Sequence, residues 1–307
     1  MTASRTWNAW SCTVRLTVDD PAVLGAACGE LKALMDRVDK AASRFRPDSE
    51  LSVVNNRAGA LVPVSRLLVD LVDVSLVAAQ MSGGAVDPTV GPAVIAAGYD
   101  ADIEAVRRRF PKAAEDPTQI TGWQEGGWQE VRVNRKLALL GVPKDCALDL
   151  GATAKAWTAD RAANVISKRY GCAVLVEIGG DLRAAGTPKQ PWVITVAERA
   201  GDQGVLVTLA HGGLTTSTRT VRRWQTPTGY GHHVIDPRTG RPAEGPYRTA
   251  SVWAPTAVRA NTFSTALIAT GEAAVGRLKL SGHPARLIAD DGEITELCGW
   301  PTASRAA

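Results

Sequence analysis

Half of the chain's four histidines stand together in GHHVIDPRTGRP, Gly231 to Pro242, ahead of an Asp-Pro and a Thr-Gly. A metal-binding pair on a helix recurs at i and i+4, whereas the adjacent His232 and His233 diverge, facing opposite sides if the segment is a strand. At most one faces a pocket, so the spacing argues against a joint zinc site. One neutral imidazole lining a pocket can act as general base or as hydrogen-bond donor. Asp236 is a second candidate base, and Pro237 to Gly240 reads as a stiff turn bordering the pocket.

Two further segments carry hard oxygens or an anion-binding pattern. In ANTFST, Asn261, Ser264 and Thr265 fall at i, i+3 and i+4, so their side-chain oxygens share one helix face. Such a set suits Mg²⁺, although by spacing alone a solvent-facing polar stripe is the commoner outcome. In LDLGATAK, Asp149-Leu150-Gly151 opens a helix whose free N–H groups attract phosphate, with Lys155 one turn in. Asp149 as a plain N-cap fits that pattern equally well. GGAVDPTVGP and IGGDLRAAG are polar, glycine-containing loops of the same kind. Each alone is an ordinary turn; together they fit a loop cluster held by a scaffold.

The positioning elements follow from periodicity and caps. Trp10–Val18 alternates as a half-buried strand, and Asp20 followed by Pro21 starts a helix that runs to about Arg44. A second helix begins near Ser65 and stops at Gly83-Gly84, and a third follows Asp149 and ends at Gly171. Ala173–Gly180, Gly204–Ala210 and Arg248–Ala254 read as strands, Ala257–Gly271 as a fourth helix, and the Asp291-Gly292 turn closes a hairpin. Asp100 to Gly127 is polar and broken by prolines, a connection of short pieces. Strands and helices in mixed order without a βαβ cadence predict an α+β fold.

Composition narrows the function classes. A net charge of +4 without a Lys/Arg tract gives no nucleic-acid surface, and no stretch reaches a membrane span. The five cysteines are widely spaced and form no CxxC, which predicts free thiols in a reducing, cytoplasmic setting. The N-terminal residues lack the apolar run of a secretory signal.

Taken in order, SRFRPDSELSVVNN, GGAVDPTVGPAVIAAGYD, ALDLGATAKAWTADRAANVI, VEIGGDLRAAG, HHVIDPRTGRPA and ANTFSTALIATG resemble the FAD:protein FMN transferases, the ApbE family. The likeness extends from about Trp10 to Ala289. It implies a single domain over residues 1–307, its core near 10–290, built of two T-fold-like halves with FAD between them. It also implies Mg²⁺-dependent cleavage of FAD, transfer of FMN to a Thr or Ser hydroxyl of an acceptor flavoprotein, and release of AMP. A hydrolase giving FMN and AMP and a non-catalytic FAD-binding protein are the alternatives.

By that likeness Trp10 and Phe45 contact flavin or adenine rings, and Ala85, Val86, Asp87, Asp149, Lys155 and Ile235 contact FAD. Ala152 gives a backbone carbonyl to the metal, and His233 is the catalytic histidine. The chain departs from the family pattern where Asn261 replaces the usual Asp and Ser264 a second Asp of some members; Thr265 is kept. Phe45 stands for a commoner Tyr, and Ala156 for a Gly. Lost carboxylate charge weakens a Mg²⁺ site, which the diphosphate of FAD partly offsets.

Overall fold

The computed structural model describes residues 1–109, 123–144, 146–199, 201–227 and 229–301. Its frame is one eight-stranded sheet in the order Ala3–Ala9, Cys12–Val18, Val174–Ile178, Asp181–Ala185, Gly212–Thr218, Tyr247–Ala254, Ala285–Ala289, Ile294–Leu297. All neighbours in it are antiparallel. Regular structure thus begins at Ala3, a strand whose weak alternation had not been read from the sequence, and Trp10 lies in the hairpin turn rather than in the second strand.

Eight helices accompany it among the described residues: α1 (Leu24–Ala42), α2 (Glu50–Asn55), α3 (Arg66–Ser82), α4 (Gly91–Ala96), α5 (Ile103–Arg108), α6 (Ala154–Tyr170), α7 (Ala257–Thr270) and α8 (Glu272–Ser281). Their ends follow the capping chemistry. Asp20 caps a short 3-10 turn that leads into α1, and the Ser65 hydroxyl accepts from Leu68 N at the start of α3. Gly83 and Gly171 close α3 and α6 in the left-handed conformation that only glycine adopts without strain. Helix α6 starts four residues later than expected, because Asp149–Gly151 forms a turn of its own. The part of the Asp100–Gly127 connection at 110–122 lies outside the described residues.

Two helix-backed halves share the sheet, as the α+β expectation requires. Val14, Leu16, Val176 and Ile178 point into a core with α1, α3 and α6. Val252, Ala250 and Leu287 do the same against α7 and α8. The seam is stitched by Asp160 of α6, which accepts the first N–H groups of α7 from Ala257 (2.8 Å) and Val258 (3.0 Å). On the opposite sheet face the hairpin Trp192–Val196 and Val205–Leu209 covers Leu175, Leu182 and Leu214. A seam between two packed halves is where loops from both can converge.

Candidate active site

A cavity of about 880 Å³ opens at that seam. Trp10, Phe45, Ala85, Val86, Asp87, Asp149, Ala152, Lys155, His233, Ile235, Asn261 and Thr265 all line it; Asp236 and Ser264 do not.

The hairpin turn at one rim is costly. Trp10 and Ser11 both have positive φ (52° and 54°), the pattern of a two-residue turn that glycine or asparagine usually fills. The Ser11 hydroxyl donates to the Asp102 carboxylate, and Arg222 Nη2 donates to the Trp10 carbonyl at 3.0 Å. These two bonds hold an indole at the cavity edge that propensity alone would not place there.

Next to it stands an aromatic and cationic wall of which the sequence names only Phe45. The Arg44 guanidinium stacks 4.2 Å from the Phe45 ring and 4.6 Å from Tyr99, while its Nε pairs with Asp149 Oδ2 at 2.7 Å. Tyr99 stacks on Trp224 behind it, with ring centroids 5.4 Å apart. Phe45 is 41% exposed, so one ring face stays free for a planar ligand. The other Asp149 oxygen accepts from Gly151 N at 2.7 Å. The Gly151 N–H is therefore occupied and is not the phosphate donor the sequence pattern pointed to. No described side chain caps α6, whose first turn carries Lys155 into the cavity.

The polar centre joins three elements. Lys155 Nζ lies 3.0 Å from Asp181 Oδ2, and Asn261 Nδ2 donates to Asp181 Oδ1 at 2.7 Å. Thr265 Oγ1 donates to Asn261 Oδ1 at 3.3 Å. Asp181 is brought here by Gly179-Gly180: Gly179 has φ +63°, and a Cβ on Gly180 would stand 2.5 Å from the Thr216 carbonyl oxygen. Only the bare backbone allows the 2.9 Å bond from Thr216 N to Gly180 O that pins the turn. Ser264, grouped with Asn261 and Thr265 by spacing, is fully buried on the sheet side of α7. Its hydroxyl meets Thr215 (3.1 Å), Ser217 (2.8 Å) and the Asn261 carbonyl (3.2 Å).

The two histidines separate as their adjacency requires. His232 Nε2 is 3.0 Å from the Ala243 carbonyl, which can only accept, so Nε2 carries the proton; Nδ1 is buried without a partner among the described residues. Burial holds this imidazole down at about 4. His233 faces the cavity, its Nδ1 3.3 Å from the Arg222 carbonyl. By the same argument Nδ1 carries the proton and Nε2 keeps a bare lone pair. Burial first, then the Arg222 charge, holds its pKa well below the ordinary imidazole value. Asp236 points elsewhere: Arg238 N (2.9 Å), Nε (2.9 Å) and Nη2 (2.7 Å) engage its carboxylate. On the far wall Asp87 accepts from Thr89 N at 2.7 Å; burial pushes its carboxyl up, and one oxygen has no partner among the described residues.

Arg44, Tyr99, Arg222 and Asp181 are the site residues that sequence reasoning did not find, and Trp224 backs Tyr99 from the core. Of these only Asp181, beside the Gly-Gly pair, carried a signal: an acidic residue after glycines that open a close approach.

Known proteins supply the comparison. A curated FAD:protein FMN transferase of Klebsiella pneumoniae is 28% identical over 281 residues, 89% of this chain and 80% of its own. The crystal structure of an ApbE protein from Thermotoga maritima superposes with a TM-score of 0.85 at 25% identity, covering 96% of this chain and 97% of that one. The apo flavinyl transferase ApbE of Pseudomonas stutzeri gives 0.81 at 25% identity, over 96% and 94%. Residues 10–285 match the ApbE family, and with the fold in agreement the chain belongs to it.

Proposed function

We propose that the chain is an FAD:protein FMN transferase, cleaving FAD and placing FMN on a Ser or Thr hydroxyl of an acceptor flavoprotein. The observation that carries the reading is the convergence, in one cavity, of a bare imidazole nitrogen on His233, the Lys155 ammonium and the Asn261–Thr265 oxygens. The cavity volume is at the upper end of the range for ligand sites, as a dinucleotide needs.

Trp10 and the free face of Phe45 stack the planar rings, and Lys155 neutralises diphosphate oxygens. The Asn261 and Thr265 side chains and the Ala152 carbonyl are hard oxygen donors that would hold Mg²⁺. The set fits that ion, which takes few protein ligands and completes its shell with phosphate and water. Among the described residues there is no group of three His, Cys, Asp or Glu that could hold a metal ion. When bound, Mg²⁺ supplies charge compensation at the diphosphate. His233 Nε2 takes the proton of the acceptor hydroxyl, whose oxygen bonds to the flavin-side phosphorus as the bond to AMP breaks. His233 rather than Asp236 is assigned this role because the Asp236 carboxylate is turned away and engaged by Arg238.

The unbroken sheet supports treating the chain as one domain. All five cysteines are free, in keeping with a cytoplasmic setting, and no described helix is long and apolar enough to cross a membrane. The test is incubation with FAD, Mg²⁺ and a flavin-acceptor domain, reading AMP, in-gel flavin fluorescence and acceptor mass. Acceptor-bound FMN with matching AMP is expected. AMP without bound flavin would make the protein a hydrolase, and no AMP a binding module.

A further inference from the structure

We propose that Asp181 is the anionic member of the divalent-ion site, held by Lys155 while the cleft is free of nucleotide and turned to the metal once Lys155 engages the diphosphate. The inference rests on the FAD-binding reading above. Asp181 is 2% exposed, and one oxygen is already joined through the Asn261 amide to the oxygen set on α7. The Lys155 ammonium is 3.0 Å from the other oxygen but off the line of a hydrogen bond, so that oxygen keeps acceptor capacity. Lys155 itself is 23% exposed on a flexible stem and can leave.

Charge counting supplies the direction. With Lys155 on Asp181 the cluster is neutral. A dinucleotide brings two negative charges on its diphosphate, and one ammonium cannot serve both anions. If Lys155 moves to phosphate, Asp181 is left a buried, uncompensated anion, which is strongly unfavourable. The sum of diphosphate, carboxylate and ammonium is two negative charges, which one divalent ion cancels. Asn261 brings no charge of its own, so the carboxylate that Mg²⁺ favours comes from the Gly179-Gly180 turn instead of α7.

The test uses Mn²⁺ as the probe, titrated with FAD present and acceptor absent and followed by the free-ion EPR signal. FAD binding in EDTA is read separately by flavin fluorescence. Asp181→Asn should weaken Mn²⁺ about tenfold or more. In EDTA it should bind FAD at least as tightly as wild type, because Lys155 is released. Moving the charge to the helix with Asp181→Asn plus Asn261→Asp should bring Mn²⁺ affinity back to within about threefold of wild type. Wild-type Mn²⁺ affinity in Asp181→Asn, or a folded double variant as weak as the single one, overturns the proposal. Should Asp181→Asn fail to fold, Asn261→Asp alone decides, since a second carboxylate in the cluster should tighten Mn²⁺ and an unchanged affinity is against it. FAD that does not bind in any condition refutes the functional reading; FAD that binds in a complex taking up no Mn²⁺ refutes only this assignment.

Discussion

His232 should make the protein acid-sensitive in a defined window. Its Nε2–H donates to the Ala243 carbonyl, so a second proton must enter at Nδ1, which is buried and has no acceptor among the described residues. The Arg219 charge adds to the penalty, and the folded-state value falls from 6.5 to about 4. The sign follows from proton counts. Between those two values the unfolded chain binds the proton and the folded one does not, so stability falls as pH drops from 6.5 towards 4 and is fully present above 6.5. At 1.36 kcal/mol per unit the whole window amounts to about 3 kcal/mol, of which about 2 are lost by pH 5. Urea unfolding at pH 7.5 and pH 5.0 measures this, with His232→Gln as the reference, since glutamine keeps an N–H for Ala243 and does not titrate. Other groups contribute equally to both proteins. The loss between the two pH values should be smaller in the variant by about 2 kcal/mol. Equal losses would refute the buried, singly bonded imidazole.

The neighbouring His233→Gln should slow FMN transfer by about 10²–10⁴-fold in kcat while FAD affinity stays within about threefold. Because burial and Arg222 hold His233 neutral, wild-type kcat should persist below pH 6.5, and a rate that halves near 6.5 would contradict the assignment. Trp10→Ala should raise the Kd for FAD by roughly five- to tenfold, about 1 kcal/mol of stacking, with kcat at saturation little changed; equilibrium fluorescence titration reads it. Gly180→Ala puts a Cβ 2.5 Å from the Thr216 carbonyl and should lower both Tm and FAD affinity. Gly171→Ala, with φ +64° but nothing within 4 Å, should cost only about 1 kcal/mol and leave binding intact.

Much of the frame was legible because it is locally encoded. Asp20, Ser65, Gly83 and Gly171 mark their helix ends through capping bonds and left-handed glycines that involve only near neighbours in sequence. The alternation of Val14, Leu16 and Val18 is likewise a property of one strand. Ala3–Ala9 escaped because an edge strand buries little and so carries little pattern; its register is set by its partner, Cys12–Val18. The start of α6 was misplaced because an Asx turn at Asp149 and a helix N-cap use the same residues.

The site was legible in its loops and not in their connections. Helical spacing puts Asn261, Ser264 and Thr265 on one broad face, but only packing decides where its boundary falls. The sheet takes Ser264, through Thr215 and Ser217, and leaves Asn261 and Thr265 to the cleft. In the same way His232 and His233 are equivalent on paper until two carbonyls, of Ala243 and Arg222, fix opposite tautomers. Arg44 and Asp149 are 2.7 Å apart in space, and Asp181 joins Lys155 of α6 to Asn261 of α7 from a turn belonging to neither helix. Charge balance in a buried cluster is a property of such groups taken together. A substitution that looks like a loss in one segment, a neutral Asn261 on the metal face, can be answered by a carboxylate supplied from another.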